Sequence, residues 1–207
     1  MYVPSHFAIN DRAVMLDIAA MHPLALLTTN GPQGPVATQL PLLIETEDAG
    51  CTSIIGHFAR ANPQWKDADG THALAIFRGA DGYVTPDWYA TKRATGKVVP
   101  TWNYITVQAR GVIELIEEPG AALQIVERLT DRMEGGRARP WAVGDAPRAY
   151  IDAMMRGLVT FRMPVDTLVG QAKLSQNKGA DDLAGVRAGV GAEESGGDML
   201  AAMDRWS

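Results

Sequence analysis

The chain has 207 residues, 46% hydrophobic and 21% charged, a composition that can bury a core and excludes a disordered or fibrous protein. Its 24 acidic and 19 basic residues leave a net charge of −5, which repels nucleic acid on average, so DNA binding would need a local basic patch. The single cysteine, Cys51, excludes an internal disulfide and suits the cytoplasm, while no leader pattern and no long apolar run marks a membrane segment.

Asn10 is placed to cap a first helix in which Val14, Ile18 and Met21 recur on one face before Pro23 ends it. Residues 24–29 read as a strand, Asn30-Gly31-Pro32-Gln33-Gly34 as a hairpin connection, and residues 36–44 as a second strand with Val36, Leu40, Leu42 and Ile44 on one side. Within it Pro41 has no backbone donor, so this strand belongs at an edge or a bulge. Residues 51–57, 73–78, 83–85 and 100–116 add strand patterns; in the last, Ile105, Val107 and Ala109 alternate with polar neighbours, as in a half-buried antiparallel strand. Many strands joined by short turns predict a barrel.

Pro119 is placed to start a helix with Leu123, Val126, Leu129 or Thr130, and Met133 inward, closed by Gly135-Gly136. A second helix after Asp145 and Pro147 would bury Ile151, Met154, Met155 and Leu158. The connection at 135–144 is too long for the roughly three- or four-residue turn of a DNA-reading helix pair. Residues 159–170 return as a strand, residues 181–187 suit a helix, 189–197 are glycine-rich and acidic, and 198–207 have a weak helical pattern. The expected organisation is one domain over 1–178 and a partly helical appendage over 179–207.

The stretch GHFARANPQW, residues 56–65, carries the sharpest chemical pattern. Asn62 is a natural N-cap and Pro63 a natural first helical residue, and the freed amides beside the Arg60 guanidinium would suit a phosphate. A capped corner with a surface arginine satisfies the same residues. In VATQLPL, residues 36–42, backbone groups released at Pro41 with Thr38 and Gln39 could read the edge of a planar heterocycle, although a plain hairpin strand fits equally. Aromatics in DGYVTPDWY and KVVPTWNY suit stacking on a flat ligand, a subunit interface or ordinary packing. The histidines, His6, His22, His57 and His72, stand at least 15 residues apart, so no metal site is expected. Neither a nucleophile elbow nor a phosphate loop occurs.

Taken together, MYVPSHF, ATQLPLL, GHFARANPQW, YVTPDWY, GKVVPTWNY and KLSQNK, in this order, resemble the PaiB-like FMN-binding family of bacterial negative transcriptional regulators, over residues 1–178. The resemblance implies a mainly β protein with peripheral helices: an FMN-binding split β-barrel of the pyridoxamine-phosphate-oxidase-like kind, with six or more antiparallel strands. It further implies a homodimer with FMN at the subunit interface, and repression of protease production and sporulation. By the same resemblance His57, Arg60 and Asn62 would seat the phosphate, and Thr38, Gln39 and Leu40 would meet the flavin ring. Trp102, Asn103 and Lys178 would approach from the partner chain or the barrel rim. Gln39 stands where the family usually has histidine, which removes a proton-transfer group. The phosphate seat drawn from residue chemistry and the one implied by the family fall on the same corner. Two other functions compete: an FMN-dependent oxidoreductase or flavin reductase, since fold alone does not fix function, and haem binding through His57 or His6.

Overall fold

In the computed structural model, residues 1–46, 51–118 and 120–206 are described. The elements run β1 (Ala8–Ile9), α1 (Arg12–Met21), β2 (Leu24–Gly31), β3 (Gly34–Pro41), β4 (Leu43–Thr46), β5 (Thr52–Ala59), β6 (His72–Val84), α2 (Ala90–Thr95), β7 (Thr101–Val112) and β8 (Glu114–Ile116). They continue with α3 (Ala121–Glu134), α4 (Arg148–Met155), β9 (Leu158–Pro164), β10 (Thr167–Lys173), α5 (Ala180–Ala192) and α6 (Gly197–Arg205). The chain divides into two compact units: Met1–Ile18 with Arg78–Val107 and Val169–Ser207, and Ala19–Phe77 with Gln108–Leu168.

In the second unit β2 lies between β3 and β6, antiparallel to both. The β2–β3 register runs from Leu24 opposite Pro41 to Gly31 opposite Gly34, around a two-residue loop. Gly34 closes that loop at φ 116°, a conformation that costs a residue with a Cβ far more than glycine. Ala25, Leu27 and Thr29 point into the core at the period of two that a half-buried strand requires. The sheet ends at β3, the edge position that Pro41 predicts. There the expected single strand over 36–44 breaks. Leu42 donates its N–H to Pro23 O, and β4 starts a second sheet in the order β4-β5-β9-β8. The break follows from Pro41, which cannot continue a two-sided ladder.

The second sheet is clamped by α3. Leu43 and Ile55 from the strands and Ile125 and Leu129 from the helix form one core, with Ile116 packed against it. The helix therefore buries Ala121, Ile125 and Leu129; of the expected inward residues Leu129 is buried as expected, whereas Met133 is half exposed. Its expected start at Pro119 lies outside the described residues. Below the helix Phe58 and Phe161 pack with centroids 4.9 Å apart, each fully buried and each contributing about 2–3 kcal/mol of transfer free energy. Gly56 lies opposite Phe161, and a Cβ there would stand 2.6 Å from Leu42 Cδ2. In α4 only part of the expected face is inward: Ile151 is buried, but Met154 is exposed.

In the first unit β1 pairs with β10 through Ala8–Gln171 and Ile9–Gly170, and the order continues to β7 and β6. The cap of α1 is Asp11 rather than Asn10: its Oδ1 accepts from Ala13 N at 2.8 Å. The two strands expected at 73–78 and 83–85 are one, β6, and the pattern over 159–170 is two, β9 and β10. The glycine-rich stretch is also not a loop at its start, because α5 runs on through Gly189 and Gly191. The cause is packing. A Cβ on Gly185 would stand 2.0 Å from Trp88 O, and one on Gly189 2.2 Å from the Trp88 ring, so glycine alone lets this helix lie flat against the Pro86–Trp88 turn. α6 folds back on α5 and buries Met199 and Met203.

Candidate functional site

The corner after β5 begins as the sequence predicts. Asn62 is extended at φ −77° and ψ 116°, its Oδ1 accepts from Gln64 N at 3.0 Å, and Pro63 opens a short 3-10 helix, Pro63–Asp67. The amides are less available than the residue types imply. Arg60 N donates to Gly157 O, Asn62 N to Ala59 O, and Gln64 N to the cap. A five-residue 3-10 helix also carries little dipole, so positive potential at this corner comes from Arg60 itself.

Arg60 reaches across to β9. Its Nε donates to Arg156 O and its Nη2 to Leu158 O, both at 2.8 Å, and its guanidinium stands 5.9 Å from the centre of the Trp65 ring. Trp65 Nε1 returns a bond to Arg60 O at 3.0 Å. These acceptors are neutral carbonyls, so among the described residues no carboxylate neutralises the guanidinium. It borders a cavity of about 520 Å³ with a floor that includes Trp65, Leu123, Met155 and Val159; Arg148 and Arg156 add cations to the lining, and Glu117 and Glu118 add carboxylates. Arg148 is already paired with Asp152. Such a cavity admits a ligand with a flat apolar body and an anionic end.

The other expected ligands in this unit have assorted roles. Thr38 accepts from Asn62 Nδ2 at 2.9 Å and donates to Gln64 Oε1 at 2.6 Å, so its hydroxyl is fully engaged. Gln39 is exposed on the edge strand, and Leu40 is buried. The residue that sequence reasoning missed is Gln64. Only 4% exposed, it donates through Nε2 to Thr29 Oγ1, Leu27 O and Val36 O, stapling the corner to the β2–β3 hairpin. Its place two residues after the cap was the only available signal. Gln64→Leu should lower unfolding free energy by about 2–3 kcal/mol in urea titration, because it strands a buried threonine and two carbonyls.

His57 takes a different direction from Arg60. It lines a separate cavity of about 330 Å³ with Pro41, Val126, Leu129, Thr130, Met133, Glu134 and Trp141. Burial pushes its pKa below the ordinary imidazole value, so it is neutral at pH 7. The unfolded chain then binds the proton more tightly than the folded one. Stability from this residue is full above about pH 6.5 and is lost as pH falls through the lower folded value. A thermal melt series between about pH 8 and pH 5 should show a decline that His57→Phe flattens.

In the first unit the remaining expected ligands are held by close neighbours. Asn103, only 1% exposed, accepts from Ser175 Oγ at 2.9 Å and contacts Met203 Sδ. Ser175 holds φ at 66°, an unusual backbone for a residue with a side chain, within the KLSQNK turn closed by Lys178 N to Ser175 O. Lys178 Nζ lies 4.7 Å from the centre of the Tyr89 ring. Trp102 is half exposed and meets Tyr83 edge-on at 5.7 Å. Lys173 donates to Thr101 Oγ1; burial first, then the charge of Lys178, lowers its pKa. Asp182 accepts from Thr91 N and Oγ1, both at 2.8 Å, and the amide bond is the main cause of its lowered pKa. This carboxylate thereby caps α2.

Two antiparallel sheets with peripheral helices define a split-barrel fold. The solved structure of the FAD and haem binding protein from Mycobacterium smegmatis shares this fold, with a TM-score of 0.60 over 86% of this chain and 78% of that one at 19% identity. Residues 1–167 match the family described as "Putative FMN-binding domain", and the chain belongs to that family. It is 32% identical to uncharacterized protein AN0679 of Emericella nidulans, covering 91% of this chain and 90% of that one. It is 28% identical to Protease synthase and sporulation protein PAI 2 of Bacillus subtilis, covering 88% and 85% respectively. The family cofactor is FMN. A fungal relative beside a bacterial one means that such proteins are not confined to bacteria. Among the described residues no helix is long and apolar enough to cross a membrane.

Proposed function

We propose that this chain is an FMN-binding regulator of the PAI 2 type, in which the bound flavin biases a homodimer that represses transcription. One observation carries the cofactor assignment: Arg60 is anchored by carbonyls alone and borders the 520 Å³ cavity, so its charge is available to a phosphate. Asn62 shapes the corner that aims it. Thr38, Gln39 and Leu40 offer the flavin ring an edge strand, where alternate backbone groups of β3 face away from β2. Trp102 and Lys178 are assigned to cofactor contacts from the partner chain or the barrel rim, and buried Asn103 serves them by holding the Ser175 turn. Half-exposed Trp102, like Val99 at 70% exposure, is the kind of apolar surface that a second copy covers.

When bound, FMN supplies one- and two-electron transfer, and the chain's residues position it. Arg60 holds the anionic end, Trp65 flanks the guanidinium, and the apolar floor excludes water. Gln39, an amide, donates hydrogen bonds without moving protons at neutral pH. The PAI 2 relative supports the regulatory reading, and the net charge of −5 favours regulation through a partner or a small local patch over broad DNA contact.

The test is a titration of the purified protein with FMN, followed by visible absorbance and by sedimentation. Saturable uptake by a dimer is expected; a monomer that leaves FMN free refutes the proposal. A promoter-DNA shift at several salt concentrations, run beside NAD(P)H oxidation, separates regulator from oxidoreductase. Turnover without any effect on transcription would favour the enzyme.

A further inference from the structure

His57 has surroundings that the flavin reading leaves unused. Its Nδ1 is buried and has no hydrogen-bond partner, and no other hydrogen bond of the ring occurs among the described residues. An orphaned buried N–H is rarer and costlier than an orphaned lone pair, so the proton belongs on Nε2. That places a single N–H donor at the wall of the 330 Å³ cavity. The other lining groups are mostly apolar. Pro41, Val126 and Leu129 form the base, and Met133 and Trp141, 50% and 45% exposed, stand at the rim. Glu134 also lines the cavity, but its carboxylate is engaged by Arg137 at 3.0 Å and by Trp141 N at 3.1 Å. Thr130 adds a hydroxyl. No uncompensated charge faces the space, which makes it a poor seat for a phosphate and a good one for an uncharged molecule.

We propose that His57 and the face of α3 formed by Val126, Leu129, Thr130 and Met133 make a second ligand site. Its ligand is a small uncharged aromatic carbonyl compound, its oxygen accepting from His57 Nε2 and its ring lying between Met133 and Trp141. The site does not depend on where FMN binds. It separates His57 from the phosphate seat that the corner motif implied.

The experiment uses the full chain with labelled histidine side chains and methionine methyl groups, and 1-acetonaphthone as the probe. At pH 7.5 the imidazole ¹⁵N spectrum should show His57 protonated on Nε2 alone; a proton on Nδ1 overturns the proposal. The ketone should shift the His57 Nε2 and Met133 methyl signals saturably. Affinity for His57→Phe should fall about tenfold, and naphthalene, which has no acceptor, should bind the parent equally weakly. Val126→Trp, which fills the cavity, should abolish binding even if His57→Phe fails to fold. Absence of a saturable shift, equal affinity for ketone and naphthalene, or tighter binding of 1-naphthoate would each overturn it. Concentration-dependent shifts at Met133 without any probe would put a second copy of the chain on this face and overturn it too. FMN uptake should survive His57→Phe; its loss would return the imidazole to the phosphate.

Discussion

Arg60→Ala should weaken FMN binding roughly ten- to hundredfold, the value of one charge-assisted hydrogen bond of about 1.5–3 kcal/mol to the phosphate. The size follows from the geometry. Nε and Nη2 are committed to Arg156 O and Leu158 O, which leaves Nη1 without a partner among the described residues on a side chain that borders the cavity. Arg60→Lys should recover only part of the loss, since an ammonium keeps the charge but cannot hold two carbonyls and a phosphate in one plane. Both variants also free the start of β9, at a cost of about 1 kcal/mol in urea unfolding, because the carbonyls can turn to water. Fluorescence quenching of FMN measures the affinity and a thermal melt the stability. If the melt falls while FMN affinity stays put, Arg60 is a clamp on β9 and the phosphate lies elsewhere.

The second large effect lies in the first unit, at the contact of α5 with the Pro86–Trp88 turn. Gly185→Ala should cost roughly 3 kcal/mol or more, because the new Cβ would stand 2.0 Å from a backbone oxygen that has no rotamer to escape into. Gly189→Ala meets a ring at 2.2 Å that can pivot, so a loss of about 1–2 kcal/mol is expected there. Gly197→Ala is the control: nothing lies within 4 Å of its Cβ, it opens α6, and it should be neutral or stabilising by up to about 1 kcal/mol. Chemical unfolding monitored by far-UV circular dichroism reads all three. Equal stability for Gly185→Ala and Gly197→Ala would mean that α5 does not rest on Trp88.

These two predictions rest on features of opposite legibility. The corner cap at Asn62 was readable because it is local, spanning two residues from Oδ1 to Gln64 N. The edge position of β3 was readable because Pro41 removes a donor wherever the strand goes. The FMN family was readable from six short motifs in order, and the family match covers residues 1–167. The carbonyl anchors of Arg60 were not readable, because they come 96 and 98 residues later in the chain. Gln64 looked like a helix filler for the same reason: its side-chain partners are 26 to 37 residues away.

Periodicity misled where two faces were equally apolar. In α3 the expected stripe Leu123, Val126, Leu129 or Thr130, and Met133 and the buried stripe Ala121, Ile125 and Leu129 share Leu129 and both satisfy a helical period. The choice fell to Leu43 and Ile55, which the second sheet presents to Ile125 and Leu129. Val126, Thr130 and Met133 line the His57 cavity together with Leu129, while Leu123 lines the Arg60 cavity. Composition misled in the tail, where glycines that suggest a loop proved to be the flat side of a helix.

By itself the sequence determined the strand-rich class, the capped turn after β5, the edge placement of β3 and membership of an FMN-binding family. All of these follow from backbone rules acting within a few residues or from motifs that survive as strings. Only the tertiary structure decided which face of α3 is buried, what holds Arg60, and which cavity His57 addresses. Those depend on atoms brought together from distant parts of the chain, where burial and unpaired hydrogen-bonding groups set the energy and local pattern does not.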